Sequence, residues 1–168
     1  MSGNDPRQDL IQWAEAQRWL AKADEDVAAA RMLLAALPGQ AGFHIQQAVE
    51  KTLKAMLVAK SQDIRKTHDI ALLAGLARPH WPALVPRPFG LARLTEWYLS
   101  SRYPELDETD PDAADVASSL AEVDALMLRV RDAAPLAGDD HAREGGGLGG
   151  SAPSPCAPGS RDPSTKGS

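Results

Sequence analysis

Residues 43–57 read Phe43-His-Ile-Gln-Gln-Ala-Val-Glu-Lys-Thr-Leu-Lys-Ala-Met-Leu57, a run that contains neither proline nor glycine. Its apolar residues return at the spacing of one broad helix face, and its polar residues gather on the opposite side. The predicted buried face consists of Ile45, Ala48, Val49, Thr52, Leu53, Met56 and Ala59. The sequence therefore predicts a helix from about Gly42 to Lys60 that carries a polar stripe along one side.

A second helical pattern precedes this stretch. It begins near Gln8 and stops before Pro38-Gly39, a strong helix-breaking pair. Its apolar stripe recurs at steps of three and four residues and comprises Leu20, Ala23, Val27, Ala30, Leu34 and Leu37. Trp13 and Trp19 lie on its early turns, where a core or dimer contact is expected for each.

Three further helices are predicted downstream. Thr67 is expected to cap a short one that runs through Leu76, with Asp69 in its first turn. A fourth helix covers about 89–101 and turns Leu91, Leu94 and Tyr98 inward. The last helix begins with Asp110 as its cap and Pro111 at its first position. Its predicted buried stripe is Val116, Leu120, Val123, Leu126 and Val130.

The remaining segments are poor in regular structure. Residues 79–88 contain four prolines, which prevent regular secondary structure there. Past Pro135 the chain is rich in glycine, proline and serine, and we expect residues 135–168 to form a disordered tail. No strand-like alternation of useful length occurs. The predicted fold is all-α, an up-and-down antiparallel bundle of about five helices over residues 8–134.

Composition narrows the possible functions. A net charge of −5 argues against a broad, charge-driven grip on nucleic acid, so any RNA contact would use a local patch or a paired subunit. Cys156 is the single cysteine, so no disulfide within the chain is expected. Neither a membrane-spanning apolar run nor a signal-peptide pattern occurs, and we expect a cytoplasmic protein without membrane contact.

No metal-ligand spacing or phosphate-binding glycine loop is present, and we expect neither metal nor cofactor. The acidic run Asp24-Glu25-Asp26 is expected to be a solvated face.

The polar stripe of the 43–57 helix is the first candidate site. Four of its residues fall within roughly a quarter-turn sector, with Glu50 at the border: His44, Gln47, Lys51 and Lys54. Two lysine charges with directional amide and imidazole groups could hold a phosphate. The alternative is a solvated face braced by a Glu50–Lys54 pair. Three apolar residues project on the same side, which indicates contact with a second subunit or a neighbouring helix: Phe43, Leu57 and Val58.

Two basic turns follow downstream. Arg65 and Lys66 precede His68 at a helix start, where exposed amides attract anions. His68 could transfer a proton if it lies near a substrate, or it could form local hydrogen bonds that hold the loop. Arg102 and Tyr103 follow the fourth helix, where they could bind phosphate and stack on a base. They could equally satisfy the last helical carbonyls and bury the tyrosine ring.

These three segments together resemble the HEPN family of small helical domains. Phe-His-x-Gln-Gln-Ala-x-Glu-Lys-x-Leu-Lys-Ala is similar to the family's signature helix. Lys-Thr-His-Asp matches a second motif, with Ile70 in place of the usual leucine, and Arg-Tyr-Pro matches a third, with Ser101 in place of threonine. The resemblance spans about Trp19 to Ala134. It implies a helical and often dimeric domain linked to nucleotides, RNA and nucleotidyltransferase partners.

The family's nuclease pair is missing. Ribonuclease members carry an arginine followed, after four to six intervening residues, by a histidine. After Arg102 that window holds Asp107, Glu108 and Thr109, and no other arginine of the chain reaches a histidine at this spacing. The resemblance therefore implies a domain without the standard nuclease site.

The resulting expectation is a non-catalytic or weakly catalytic module that binds a nucleotide or RNA phosphate, forms a homodimer, and acts with a nucleotidyltransferase partner in a toxin–antitoxin-like pair. The expected ligand-binding residues are His44, Gln47, Lys51, Lys54, Arg65, His68, Arg102 and Tyr103. Two alternatives stay open. One is a metal-independent endoribonuclease that uses Arg102 with His68 or His44. The other is a purely structural dimer or adaptor whose stripe is an interface.

Overall fold

The computed structural model describes residues 6–64, 66–96 and 111–135 of the chain. These residues form the helices α1 (Pro6–Leu33), α2 (Pro38–Val58), α3 (Ile70–Ala77) and α4 (Ala113–Asp132), with the 3-10 turn Gly90–Arg93 leading into a further helical segment over 94–96. No strand occurs within the described ranges. The predicted all-α fold is confirmed.

Helix α2 is the centre of the bundle, because α1, α3 and α4 all pack against it. Fourteen of its 21 residues are buried. The predicted apolar face is buried except for the half-buried Ala59, and Leu57 and Val58 on the other side are buried as well. A neighbouring helix is thus the correct explanation for those two residues, and a second subunit is not needed. The Glu50–Lys54 pair of the alternative interpretation forms at 2.7 Å, but it does not brace a solvated face, since Glu50 and Lys54 are 4% and 7% exposed.

Helices α1 and α4 run antiparallel, which two interhelical ion pairs show. Arg31 pairs with Asp124, and Asp24 pairs with Arg131, so the residue numbers of the partners rise along one helix as they fall along the other. The predicted apolar stripe of α4 is buried throughout. The α1 stripe is buried from Leu20 to Ala30, but Leu37 is 53% exposed because α1 ends at Leu33.

The helix starts differ from the predicted ones. Pro38, which was expected to end the first helix, occupies the first turn of α2. A proline is tolerated there because the backbone N–H groups of the first turn have no partner within the helix. Asp69, and not Thr67, caps α3: its carboxylate accepts the Leu72 backbone N–H at 3.0 Å. The Thr67 hydroxyl instead accepts the N–H of Asp69 at 3.1 Å. Both side chains can accept a backbone N–H, and the sequence alone does not rank them.

The last two predicted helices are also shifted. The fourth begins as the 3-10 turn Gly90–Arg93 and continues as helix over 94–96, with Leu91 and Leu94 buried as expected. Asp112, and not Asp110, caps α4 by accepting the Asp115 N–H at 2.7 Å. Tyr98, Asp110 and the tail beyond Pro135 lie outside the described residues.

The two early tryptophans are core residues. Trp13 is 7% exposed, and Trp19 is partly buried against the same core. The indole N–H of Trp13 is buried without a hydrogen-bond partner among the described residues. In the described part of the chain, none of the helices combines the length and apolar character that crossing a bilayer requires.

Candidate functional site

The polar face of α2 is built around two carboxylates, and the first of them belongs to α1. Asp26 accepts from two side chains of α2: its Oδ1 lies 3.1 Å from His44 Nδ1, and its Oδ2 pairs with Lys51 Nζ. His44 and Lys51 are seven residues apart and therefore project from the same side of the helix. The side chain of Asp26 is only 14% exposed, so this pairing takes place between the packed helices.

The second carboxylate is Glu50 of α2 itself. Its Oε1 accepts from Lys54 Nζ at 2.7 Å, and its Oε2 lies 2.9 Å from His68 Nδ1. Gln46 Nε2 lies 3.4 Å from Glu50 Oε2 and donates at 3.3 Å to the backbone carbonyl of His68. Glu50 and Gln46 thus tie the segment before α3 to α2. The Lys54 ammonium also lies 5.8 Å from the centre of the Trp19 ring, a cation–π contact.

Gln47 lies between the two clusters. Its amide nitrogen donates to Gln46 Oε1 at 2.7 Å. On the helix wheel Gln47 falls between the His44–Lys51 edge and the Gln46–Glu50 edge. We call the six α2 residues of this region the α2 polar face: His44, Gln46, Gln47, Glu50, Lys51 and Lys54.

The two clusters repeat one arrangement. In each, a largely buried carboxylate holds the Nδ1 atom of a histidine with one oxygen and the Nζ atom of a lysine with the other. A carboxylate on one ring nitrogen sets the orientation of the imidazole and directs the chemistry of the ring to the other nitrogen. The side chains of His44 and His68 are 29% and 55% exposed, so a ligand can approach both rings.

The electrostatics differ from the predicted ones. Two ammonium groups are balanced by two carboxylates, so with neutral imidazoles the α2 polar face together with Asp26 of α1 carries no net charge. Lys54 in particular is buried against Glu50, and it does not present an accessible charge. Any effect of Lys54 on a ligand would therefore pass through Glu50 and His68. Lys51 remains partly exposed, with 23% of its side chain accessible.

Five of the eight predicted binding residues belong to these two clusters or join them: His44, Gln47, Lys51, Lys54 and His68. The other three, Arg65, Arg102 and Tyr103, lie outside the described residues, and their roles stay predictions.

Asp26 was not among the residues predicted for the site. The whole acidic run was expected to be a solvated face, which holds for Asp24 and Glu25, since they pair with Arg131 and Lys22 at the surface. Asp26 follows the buried Ala23 by three residues and precedes the buried Ala30 by four. That spacing puts it at the edge of the buried stripe of α1, but Asp24 likewise lies four and three residues from the buried Leu20 and Val27, so the sequence alone does not single out Asp26.

Two grooves elsewhere in the described part of the chain differ from the α2 polar face. No group of three or more His, Cys, Asp or Glu side chains within the described ranges is placed to hold a metal ion. A groove of about 310 Å³ between α1 and α4 is lined by Trp13, Gln17, Leu20, Ala21, Asp24, Arg131 and Ala134. A second of about 260 Å³ lies beside the 3-10 turn, against Phe89, Leu126 and Arg129. Neither contains the paired histidines and carboxylates that distinguish the polar face.

Together the fold and this face define an all-helical domain whose central helix carries a polar face with two carboxylate-held histidines. A family model described as the HEPN domain matches residues 16–130, which is more than half of the chain. The chain belongs to the HEPN domain family. Membership supports a nucleotide- or RNA-related module. No curated protein and no solved structure matches the chain significantly.

Proposed function

We propose that this chain binds the phosphate of a nucleotide or of RNA at the α2 polar face and acts with a nucleotidyltransferase partner in a toxin–antitoxin-like pair. One observation carries the binding part of the proposal. A single carboxylate, Asp26, holds His44 and Lys51 side by side at the edge of the bundle, where both remain partly exposed. Groups that are already fixed in position lose little conformational entropy when a ligand binds.

Hydrogen-bond donors suited to phosphate are present at this edge. The Lys51 ammonium has three N–H donors, and Asp26 accepts one of them. The Gln47 amide has two, and Gln46 accepts one. The remaining donors of Lys51 and Gln47 could reach one phosphate group together. Because the chain is acidic overall, such binding would depend on a few directed contacts and not on a broad positive surface.

Titration tests this proposal. Purified protein is titrated with a nucleoside triphosphate by calorimetry and with a short labelled RNA by fluorescence anisotropy. Gln47→Ala and Lys51→Met are each expected to weaken binding about tenfold, since a hydrogen bond to a charged group contributes about 1.5–3 kcal/mol. His80→Ala is the matched control, because His80 is exposed and lies outside the polar face. If neither ligand binds the wild-type chain, the binding proposal is wrong.

The salt dependence of RNA binding gives a second check. Each phosphate contact on a single strand adds about −0.7 to the slope of log affinity against log salt concentration. A site that holds one or two phosphates should therefore give a slope of about −1. A slope several times steeper would indicate broad electrostatic binding through a different surface.

The partner part of the proposal has its own experiment. Co-expression with a nucleotidyltransferase encoded beside this chain should yield a complex that survives size-exclusion chromatography. Light scattering on the chain alone tests the expected homodimer. If the chain is a monomer and forms no complex with the adjacent nucleotidyltransferase, the partner proposal is wrong and the binding proposal is unaffected.

We propose a cytoplasmic location for the chain, because nucleotides and RNA occur in the cytoplasm.

A second candidate function is metal-independent RNA cleavage at a non-standard site. The observation that favours it is the carboxylate on Nδ1 of both His44 and His68, since this arrangement prepares an imidazole for proton transfer. Cleavage of a short RNA in the presence of a metal chelator, lost in His68→Ala and Arg102→Ala, would establish it. Intact RNA after prolonged incubation with the wild-type chain would exclude it.

A further inference from the structure

Asp26 determines which nitrogen of His44 carries the proton. The Asp26 carboxylate accepts from the Lys51 ammonium through Oδ2, so the cation lies directly against this carboxylate. An ionised carboxylate only accepts hydrogen bonds, so the proton shared across the 3.1 Å between Oδ1 and Nδ1 belongs to His44. In neutral His44, Nδ1 is therefore the donor and Nε2 is left as an acceptor.

The position of that acceptor limits what can bind beside it. Phosphate oxygens cannot donate a hydrogen bond to Nε2 unless the phosphate is protonated, whereas a hydroxyl can. Lys51, which shares Asp26 with His44, supplies N–H donors for a phosphate. The pair therefore presents a donor and an acceptor next to each other, which matches a phosphate beside a hydroxyl.

We infer that His44 Nε2 accepts a hydrogen bond from the 2′-hydroxyl of a ribose, so that the α2 polar face selects ribonucleotides over deoxyribonucleotides. RNA carries this group on the carbon next to its 3′-phosphate, and a 5′-nucleotide carries it on the same ribose as its 5′-phosphate, whereas the internal residues of RNA have no free 3′-hydroxyl. The inference rests on the proposed function and names its ligand class. Asp26 acts in it as a positioning residue, because it sets the tautomer of His44.

The wild-type chain gives the first test. Titrations with ATP, 2′-deoxy-ATP, 3′-deoxy-ATP and 2′-fluoro-2′-deoxy-ATP are run at pH 8, which favours neutral imidazole. We expect 2′-deoxy-ATP to bind about five- to tenfold more weakly than ATP, and 3′-deoxy-ATP to bind like ATP. Fluorine accepts but does not donate, so 2′-fluoro-ATP should bind at least as weakly as 2′-deoxy-ATP.

Asp26→Asn tests the positioning role, and Lys51 makes its outcome predictable. Because an ammonium only donates, the amide oxygen of the new side chain must face Lys51. The amide nitrogen then faces His44 Nδ1 and donates to it, and the proton moves to Nε2. With Nε2 as a donor, 2′-fluoro-ATP should bind better than 2′-deoxy-ATP. A merely structural role for Asp26 would weaken all four ligands by a similar factor.

Two further measurements keep the inference falsifiable if Asp26→Asn folds poorly. Long-range ¹H–¹⁵N NMR of the wild-type imidazoles should assign His44 to the Nδ1–H tautomer; the Nε2–H form would overturn the inference. His44→Phe should remove the preference for ATP over 2′-deoxy-ATP while binding to the phosphate persists. A preserved preference in that variant would also overturn it.

The titrations distinguish a failure of the proposed function from a failure of the 2′-hydroxyl inference. If no nucleotide and no RNA binds, the proposed function falls. If ATP and 2′-deoxy-ATP bind equally, the proposed function stands and the inference falls; loss of binding by 3′-deoxy-ATP alone would likewise overturn the 2′ assignment. Repeating the comparison with a short RNA, its 2′-fluoro form and the matching DNA shows whether the hydroxyl comes from a polymer or from a free nucleotide.

Discussion

Replacing Glu50 by glutamine removes a buried charge at the centre of the bundle, and its cost follows from the geometry around it. At the 2.7 Å between Glu50 Oε1 and Lys54 Nζ, the attraction is about 6 kcal/mol with an effective dielectric constant of about 20. Removing two ions from water costs several kcal/mol each, so the intact pair contributes little net stability. Removing one partner is different, because it leaves the Lys54 ammonium buried without a counter-charge.

The expected loss for Glu50→Gln is about 3 kcal/mol in the free energy of unfolding, at the lower end of the range for a broken buried pair. The glutamine oxygen still accepts from Lys54, and the Trp19 ring still faces the ammonium, which keeps the loss from being larger. Lys54→Met keeps the aliphatic stem and should cost about 2 kcal/mol, since Glu50 retains His68 as a partner.

The double variant Glu50→Gln, Lys54→Met tests whether Glu50 and Lys54 are energetically coupled. It removes both charges, and its total loss should be about 1–2 kcal/mol, well below the sum of the single losses. Urea unfolding followed by circular dichroism gives all four free energies by linear extrapolation. Glu25→Gln is the control, because Glu25 pairs with Lys22 at the surface and its loss should stay below about 0.5 kcal/mol.

Single losses that add to within about 0.5 kcal/mol would refute the reasoning, since uncoupled residues behave in that way. A Glu50→Gln variant as stable as Glu25→Gln would refute it as well, because it would mean that Glu50 is solvated in the folded chain.

Three further predictions concern the bundle. Leu53→Ala should lower the free energy of unfolding by about 3 kcal/mol in the same urea assay, because Leu53 is fully buried on the central helix; a loss under about 1 kcal/mol would contradict that position. Asp69→Ala should cost about 1 kcal/mol through loss of the α3 cap, whereas Thr67→Val should cost less; the reverse order would restore Thr67 as the cap. Arg131→Ala should change stability by less than about 0.5 kcal/mol at physiological salt, because its pair with Asp24 is exposed; a larger loss in thermal unfolding would show that the pair fixes α1 to α4.

Helical periodicity predicted the core well and the helix ends less well, for one physical reason. Burial on one face requires apolar residues at steps of three and four, so the stripe of α4 could be found from spacing alone. A helix start depends on which of several nearby acceptors reaches the free N–H groups. Thr67 and Asp69 both qualify, as do Asp110 and Asp112, and only the folded backbone selects between them.

The candidate site could be predicted in part. The spacing of His44, Gln47 and Lys51 places them on one side of α2, and this required no tertiary structure. The burial of Glu50 could not be predicted, because a helix wheel does not show how many neighbours surround a helix, and α2 has three. Asp26 was missed because the contact joins two helices, so its partners depend on how α1 and α2 pack.

The two carboxylates are difficult to explain by stability alone. A bundle of this kind could fill the same positions with apolar side chains at equal or greater stability, because burying an ion pair costs about as much as the attraction returns. Instead, α1 and α2 each contribute a carboxylate that holds a histidine and a lysine. Fixed imidazoles and ammonium groups matter for a ligand that needs a donor and an acceptor at set positions. The histidines also differ in burial, since His44 is the less exposed of the two. A ligand contact with His44 excludes more water than one with His68, so His44 should contribute more than His68 to ligand selectivity.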